Sequence, residues 1–254
     1  MKRRIYKGVG CLAIVLALTS VNIALAASAT SSKSTQNVNG YSYTYLSSVH
    51  NDSSSTWAAT DVQATTTVPT GYMGVLPRLY NSSGTLVKSG SWTYNESAYS
   101  GMSVLSGDYS LSGTYYSCGQ VSLYNGNGYS TYNTNKSPNL TRSSSTYTSN
   151  NTEQTETLEL DTSYSVNENG ETYGLGLSAS TIGEEPDLIK ALGIDGTLGY
   201  VRSNDFGIAN PKSPEEAIAN QNTDCNIIPL YDKDGENIIG SFEISETKVS
   251  AITK

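Results

Sequence analysis

Between residues 38 and 140 the chain is built largely of tyrosine, serine, threonine and glycine, with very few leucines or phenylalanines. That pattern restricts this stretch to β structure. Tyr41, Tyr43 and Tyr45 alternate with Ser42 and Thr44, and a period of two puts the three rings on one face of a strand. With so few aliphatic side chains, aromatic rings must supply much of the core, their hydroxyls reaching the rim. TWAATDVQATTTV is a second β-like run. GYMGVLPRLYN and TLVKSGSWTYN flank Ser82-Ser83-Gly84, a short turn signal. QVSLY and YSTYNT flank NGNG, where Asn-Gly supplies the positive φ of a tight hairpin. About six or seven short strands at this spacing predict a mainly β fold, an antiparallel β-sandwich or small barrel.

Charge divides the chain. Nineteen of the 23 acids follow residue 150, whereas residues 28–150 hold only Asp52, Asp61, Glu96 and Asp108. The shift predicts two modules with different surfaces. A Tyr/Ser/Gly-rich β-sandwich over 38–140 is followed by a flexible linker over 141–165 and an acidic α+β module over 166–246. In the linker, TRSSSTYTSNNTEQTETLEL is too polar before Leu158 to order itself. ETLELDTSYSV is a candidate edge strand. In the second module, Glu184-Glu185-Pro186-Asp187 ahead of LIKAL, with a stop at Gly193, reads as a short helix. GTLGYVRSNDF reads as a strand. Ser213-Pro214-Glu215-Glu216 has the N-cap, the proline and the glutamate of a capping box. NIIPLYDKDGENIIGSFEI reads as a hairpin. Leu230 stands where a calcium loop needs its first ligand, so Asp232 and Asp234 read as turn residues.

The amino terminus reads as a signal peptide over 1–29. Lys2, Arg3, Arg4 and Lys7 precede the apolar run VGCLAIVLALTSVNIALA, and ALAASA offers cleavage after Ala26 or Ala29. The competing reading is an uncleaved anchor, because residues 8–27 are just long enough to span a bilayer. Asn22 and the small residues after it favour cleavage, and Cys11 lies inside the apolar run. The expected product is secreted, extracellular or cell-wall associated, touching a membrane only through an uncleaved leader. Its acidic balance argues against nucleic acid as a partner. Cys118 and Cys225 would survive export, one in each module. They are open to two readings, a disulfide that staples the modules or two unpaired thiols.

Tyrosine flanked by serine, glycine and asparagine is also the composition of recognition surfaces, where rigid rings supply contact area at low entropic cost. The candidate binding residues are Tyr41, Tyr43 and Tyr45 in GYSYTY, Tyr129 and Tyr132 in GYSTYNT, and Trp57 and Trp92. The structural alternative makes the tyrosines strand formers and the tryptophans core plugs. His50, the single histidine, sits beside Asn51-Asp52 and reads as an exposed turn residue. The sequence carries no G-x-S-x-G elbow, P-loop, dinucleotide fingerprint or HExxH helix. No catalytic residue, cofactor or metal is therefore expected. A carboxylate pair for glycoside hydrolysis would have to be drawn, in the first module, from Asp52, Asp61, Glu96 and Asp108. The expected function is non-enzymatic binding of a cell-surface glycan or protein. The alternatives are a bacteriocin-like toxin or effector and a cell-wall glycan hydrolase.

GYVRSNDF, PKSPEEAIANQ and IPLYDKDGENIIGSFEI resemble a recurrent C-terminal segment of uncharacterised secreted two-module proteins of Gram-positive bacteria. The resemblance covers residues 166–245. It implies a host type and an extracellular address, and it carries no catalytic residues. The Tyr/Ser/Gly-rich strands with isolated tryptophans in the first module resemble the β-sandwich bacteriocins of the lactococcin 972 type. The order and spacing of the Trp and His positions differ here.

Overall fold

The structure is a computed structural model that describes residues 27–143, 158, 160–221 and 224–252. Most of the expected leader and the middle of the expected linker lie outside the described residues. In chain order the first strands are β1 Ala27–Thr30, β2 Ser34–Val38, β3 Tyr41–Asn51, β4 Thr56–Val68, β5 Met73–Leu76 and β6 Arg78–Asn81. Next come β7 Leu86–Ser89, β8 Thr93–Tyr94, β9 Tyr99–Leu105, β10 Gly113–Ser117, β11 Gln120–Tyr124, β12 Tyr129–Asn133 and β13 Leu140–Arg142. The second stretch holds β14 Ser165–Val166, β15 Thr172–Gly174, β16 Leu188–Leu192, β17 Leu198–Arg202, β18 Asn226–Tyr231, β19 Ile238–Ile244 and β20 Lys248–Ile252. It also carries two short helices, α1 Ala179–Ile182 and α2 Pro214–Ala219.

These strands form three sheets. The first runs β1-β3-β4-β9-β20 with β2 added on β3. The middle sheet runs β12-β11-β5-β8. The large sheet runs β13-β10-β6-β7-β19-β18-β17-β16-β15-β14. Pairing is antiparallel except where β15 and β7 meet β16 and where β7 meets β19. Alternation dictates how the sheets stack. Tyr43, Tyr45, Val62, Met102 and Val104 point from the first sheet onto Met73, Val75, Val121 and Leu123 of the middle sheet, making one core. Leu76 and Tyr94 point from the opposite face of the middle sheet into a second core with Leu86, Phe206, Leu230 and Phe242. The middle sheet is thus packed on both faces, which suits the near-continuous burial of β5 and β11.

The mainly β, antiparallel architecture is the one the sequence predicts, and several local expectations hold. Tyr124 and Tyr129 pair across the NGNG turn. β18 and β19 form a hairpin, with Gly235 at φ +71° and Asp232 accepting from the amides of Glu236 and Asn237. Helix α2 starts as its sequence requires: the Ser213 hydroxyl accepts from the Glu216 amide at 3.3 Å, and Glu216 accepts from the Lys212 amide at 2.7 Å.

LIKAL requires a correction. It is strand β16, held between β15 and β17, not a helix. Leu and Ala are good helix formers, but five residues cannot stabilise a helix alone, and burial of Leu188, Ile189 and Ala191 in a sheet decides the conformation. The compositional break at 141–165 is likewise not a break in the sheets. Leu86 of β7 pairs with Ala191, Ser89 pairs with Ile244, and β20 returns to pair along β9. The start of the expected linker, Thr141 and Arg142, belongs to β13, and Leu158 and Leu160 pack on the second core.

Among the described residues two ion pairs join the two stretches, Arg78 with Glu185 and Lys88 with Glu243, and the first is the more buried. Arg78 on β6 is 1% exposed and binds Glu185, whose side chain is 16% exposed. The guanidinium carbon lies 4.6 Å from the centre of the Phe206 ring. Burial opposes the Arg78 charge, while Glu185 and Tyr80 favour it and hold the group protonated. Glu185→Gln removes the countercharge and leaves a buried cation. It should lower the free energy of unfolding by about 3–5 kcal/mol, read from urea denaturation.

Candidate functional site

Strand β3 places Tyr41, Tyr43 and Tyr45 on one face, as the alternation requires, but that face is turned inward. Tyr43 is 0% and Tyr45 3% exposed, both inside the core between the first and middle sheets. They are not a recognition face, because a chain short of aliphatics fills this space with rings. Tyr132 sits across the same core, 6.2 Å from Tyr45. Trp92 is 2% exposed and plugs the second core.

Tyr41 and Tyr129 have a different fate. Tyr41 opens β3 at the margin of the sandwich and meets Tyr72 edge-on at 6.0 Å. Tyr72 lies 4.8 Å from Tyr124, and Tyr124 lies 5.4 Å from Tyr129. Tyr129 then meets Tyr94 at 5.4 Å, and Tyr94 stacks on Trp92 at 6.3 Å. The first four rings are half-buried and the last two buried, so a continuous arc of aromatics runs from the surface into the core. Tyr124 closes β11 and Tyr129 opens β12, and the tight turn between them sets the two rings opposite each other. The Asn125 side chain accepts from the Asn127 amide at 3.0 Å, which fixes that turn. The Tyr129 hydroxyl donates to the Gly71 carbonyl at 2.5 Å and ties the turn that carries Tyr72 to the hairpin.

Partial burial raises the Tyr72 phenol pKa, and neighbouring Tyr124, Tyr41 and exposed Glu215 raise it further. Burial, then Tyr94, Tyr124 and Glu215, does the same to Tyr129. These phenols stay neutral at physiological pH. The arc therefore offers uncharged rings with polar tips and one carboxylate at its border. Such a surface stacks on sugar faces or anchors a polypeptide without needing charge. Tyr72 and Tyr124 were not among the residues expected from sequence. The NGNG turn signalled Tyr124 through its cross-strand partner; nothing local signalled Tyr72, which arrives from the segment before β5.

Trp57 and His50 lie on the outer face of the first sheet. Their rings stack at 5.7 Å with 7° between planes. His50 is a half-buried strand residue, which corrects its reading as an exposed turn residue; the turn begins after Asn51. Its Nε2 lies 2.7 Å from the Ser48 hydroxyl. Burial lowers the His50 pKa against the opposing effect of Asp61, favouring neutral imidazole. Ser48 sits mid-strand, opposite Thr30 of β1 and Ala59 of β4. Of the other acids, Glu96 accepts from Gln221 at 2.7 Å. Asp108 and Asp52 line a cleft beside Trp57.

The two described cysteines are not bridged. Cys118 is buried and Cys225 exposed, and both are free. The Cys118 thiol donates to the Thr134 carbonyl at 3.4 Å, and burial pushes its pKa up to about 11. It should resist thiol reagents in the native protein and react only after denaturation, whereas Cys225 labels at once; mass spectrometry locates the label.

Burial raises the Asp61 pKa, with the Ser103 hydrogen bond and His50 opposing. A carboxyl whose folded pKa is raised contributes stability below its unfolded pKa and loses it as pH rises through the folded value. Asp61→Asn should therefore raise the urea midpoint at about pH 7, with the gain shrinking towards about pH 3. No family model, curated protein or solved structure matches this chain, so its functional reading rests on the geometry of the tyrosine arc and its surroundings.

Proposed function

We propose that this chain is a secreted, non-enzymatic binding module that recognises a cell-surface glycan or protein through the Tyr41–Tyr72–Tyr124–Tyr129 arc. The observation that carries the reading is the arc itself: four half-buried rings in mutual contact, contributed by three separate segments and pinned by a buried extension. Rings serving only as core would be covered; rings serving only as strand formers would not converge. Anchoring through Tyr94 and Trp92 limits the entropy lost when a ligand binds. The resemblance of residues 166–245 to secreted proteins of Gram-positive bacteria makes the surface of such cells the first partner to test.

Tyr72→Ala and Tyr124→Ala should each weaken co-sedimentation with intact Gram-positive cells by about 30-fold, equivalent to ~2 kcal/mol for an anchoring aromatic. Their unfolding midpoints should stay close to the parent's. Tyr43→Ala should instead destabilise the fold by about 3–5 kcal/mol. Undiminished cell binding by both arc variants would remove the arc as the recognition surface. The export reading has its own test. Ala27 is the first residue of β1 and pairs with Asn51, so cleavage after Ala26 leaves the strand whole while cleavage after Ala29 removes most of it. N-terminal sequencing of exported protein should begin at Ala27.

A further inference from the structure

A cleft lies on the same face of the middle sheet as Tyr129. Alternation along β12 puts Tyr129, Thr131 and Asn133 in one row, and Gln120 of β11 stands opposite Asn133. The row ends in a cleft of about 290 Å³ walled by the segment 203–210 on one side and by Gly183–Glu185 on the other. Its volume is at the lower limit for ligand pockets and suits one ring, not a folded partner.

We propose that this cleft binds a single uncharged pyranose ring. Its lining is dominated by amides, hydroxyls and carboxylates, with an edge of Trp92 as apolar wall. Neighbouring hydroxyls of a sugar each donate and accept, and paired amide and carboxylate groups match them. The groups are held in advance. The Gln120 amide donates to Asn133 at 2.9 Å, which fixes both amides. The Thr131 hydroxyl donates to Asn210 at 2.9 Å and binds the far wall to the sheet. Ser122 donates to the Ala209 carbonyl at 2.6 Å and supports that wall from behind. Arg78 secures Glu185 on the opposite side. Preorganised polar groups cost a ligand little ordering entropy.

Charge decides which sugars fit. Glu184 and Glu185 stand in the cleft, and its described lining includes no lysine, arginine or histidine. Arg78 is paired with Glu185. Uronic acids and phosphorylated sugars therefore meet Glu184, whose charge no cation of the described lining offsets, beside the Arg78-paired Glu185. The proposal rests on the glycan form of the arc reading, and none of the four arc tyrosines lines the cleft.

The test uses the full chain with Trp57→Phe, so that Trp92 is the sole tryptophan. It is titrated with glucose, galactose, mannose, N-acetylglucosamine and N-acetylgalactosamine, and with glucuronate as the anionic control. At least one neutral sugar should give a saturable change in Trp92 emission with a millimolar midpoint, and glucuronate a response at least about 10-fold weaker. Asn204→Ala and Asn133→Ala should each weaken the neutral-sugar response about 10-fold. Lys248→Ala, in the separate cleft beside Trp57, should leave it unchanged. The absence of a saturable response to all five sugars up to about 100 mM, or an equal response to glucuronate, would overturn the assignment. So would a response untouched by both asparagine variants. If sugar binding persists while Tyr72→Ala and Tyr124→Ala retain cell binding, the arc fails and the cleft stands. If those variants lose cell binding while no sugar registers at Trp92, the cleft fails alone.

Discussion

The Arg78–Glu185 pair is the interaction on which the arrangement of the chain depends. A guanidinium 1% exposed to solvent is tolerable only with its charge matched, and the matching carboxylate comes from more than a hundred residues away. Desolvation makes any arrangement that separates the two groups costly, so the pair selects one docking of the second stretch on the first. Its neighbours reinforce that choice. Phe206 covers the guanidinium, and Tyr80 stacks on Tyr116 at 5.4 Å beside it. The same pair positions the Gly183–Glu185 wall of the polar cleft, so a stabilising contact and a candidate ligand site share one carboxylate.

Tyrosine is used in two ways in this structure, and position relative to the sheet margin separates them. Tyr43 and Tyr45 face a sheet across the middle of a sandwich and are covered. Tyr41, one step further out on the same face, reaches past the covering strands and stays half-exposed. Tyr124 and Tyr129 flank a turn, where no further described strand covers them. A ring in the middle of a sheet stabilises the fold. At an edge the same ring becomes a contact surface, braced by the rings behind it.

The middle sheet connects these features. One face seals the first core, and the other carries Tyr124 and Tyr129, the row leading into the cleft and the contacts to the second stretch. Segment 203–210 lies against that second face, held through Tyr94 to the Ile208 carbonyl at 2.7 Å and through Ser122 to Ala209. The acidic stretch is therefore not an appendage on a finished sandwich. It completes the burial of the middle sheet and contributes walls to the site.

The sequence by itself determined the β character of the chain, the in-register face of Tyr41, Tyr43 and Tyr45, the NGNG and Asp232–Gly235 hairpins, and the Ser213 cap. Each of these is fixed by neighbours within a few residues: side-chain period, turn chemistry and a capping hydroxyl. Tertiary structure alone decided which way the tyrosine face pointed, that LIKAL became a strand, that Cys118 was buried away from Cys225, and that Tyr72 joined Tyr124. It also decided that stretches of different composition share a sheet. Those outcomes depend on which surface covers which, and on where a buried charge finds its partner, and neither is encoded in local spacing.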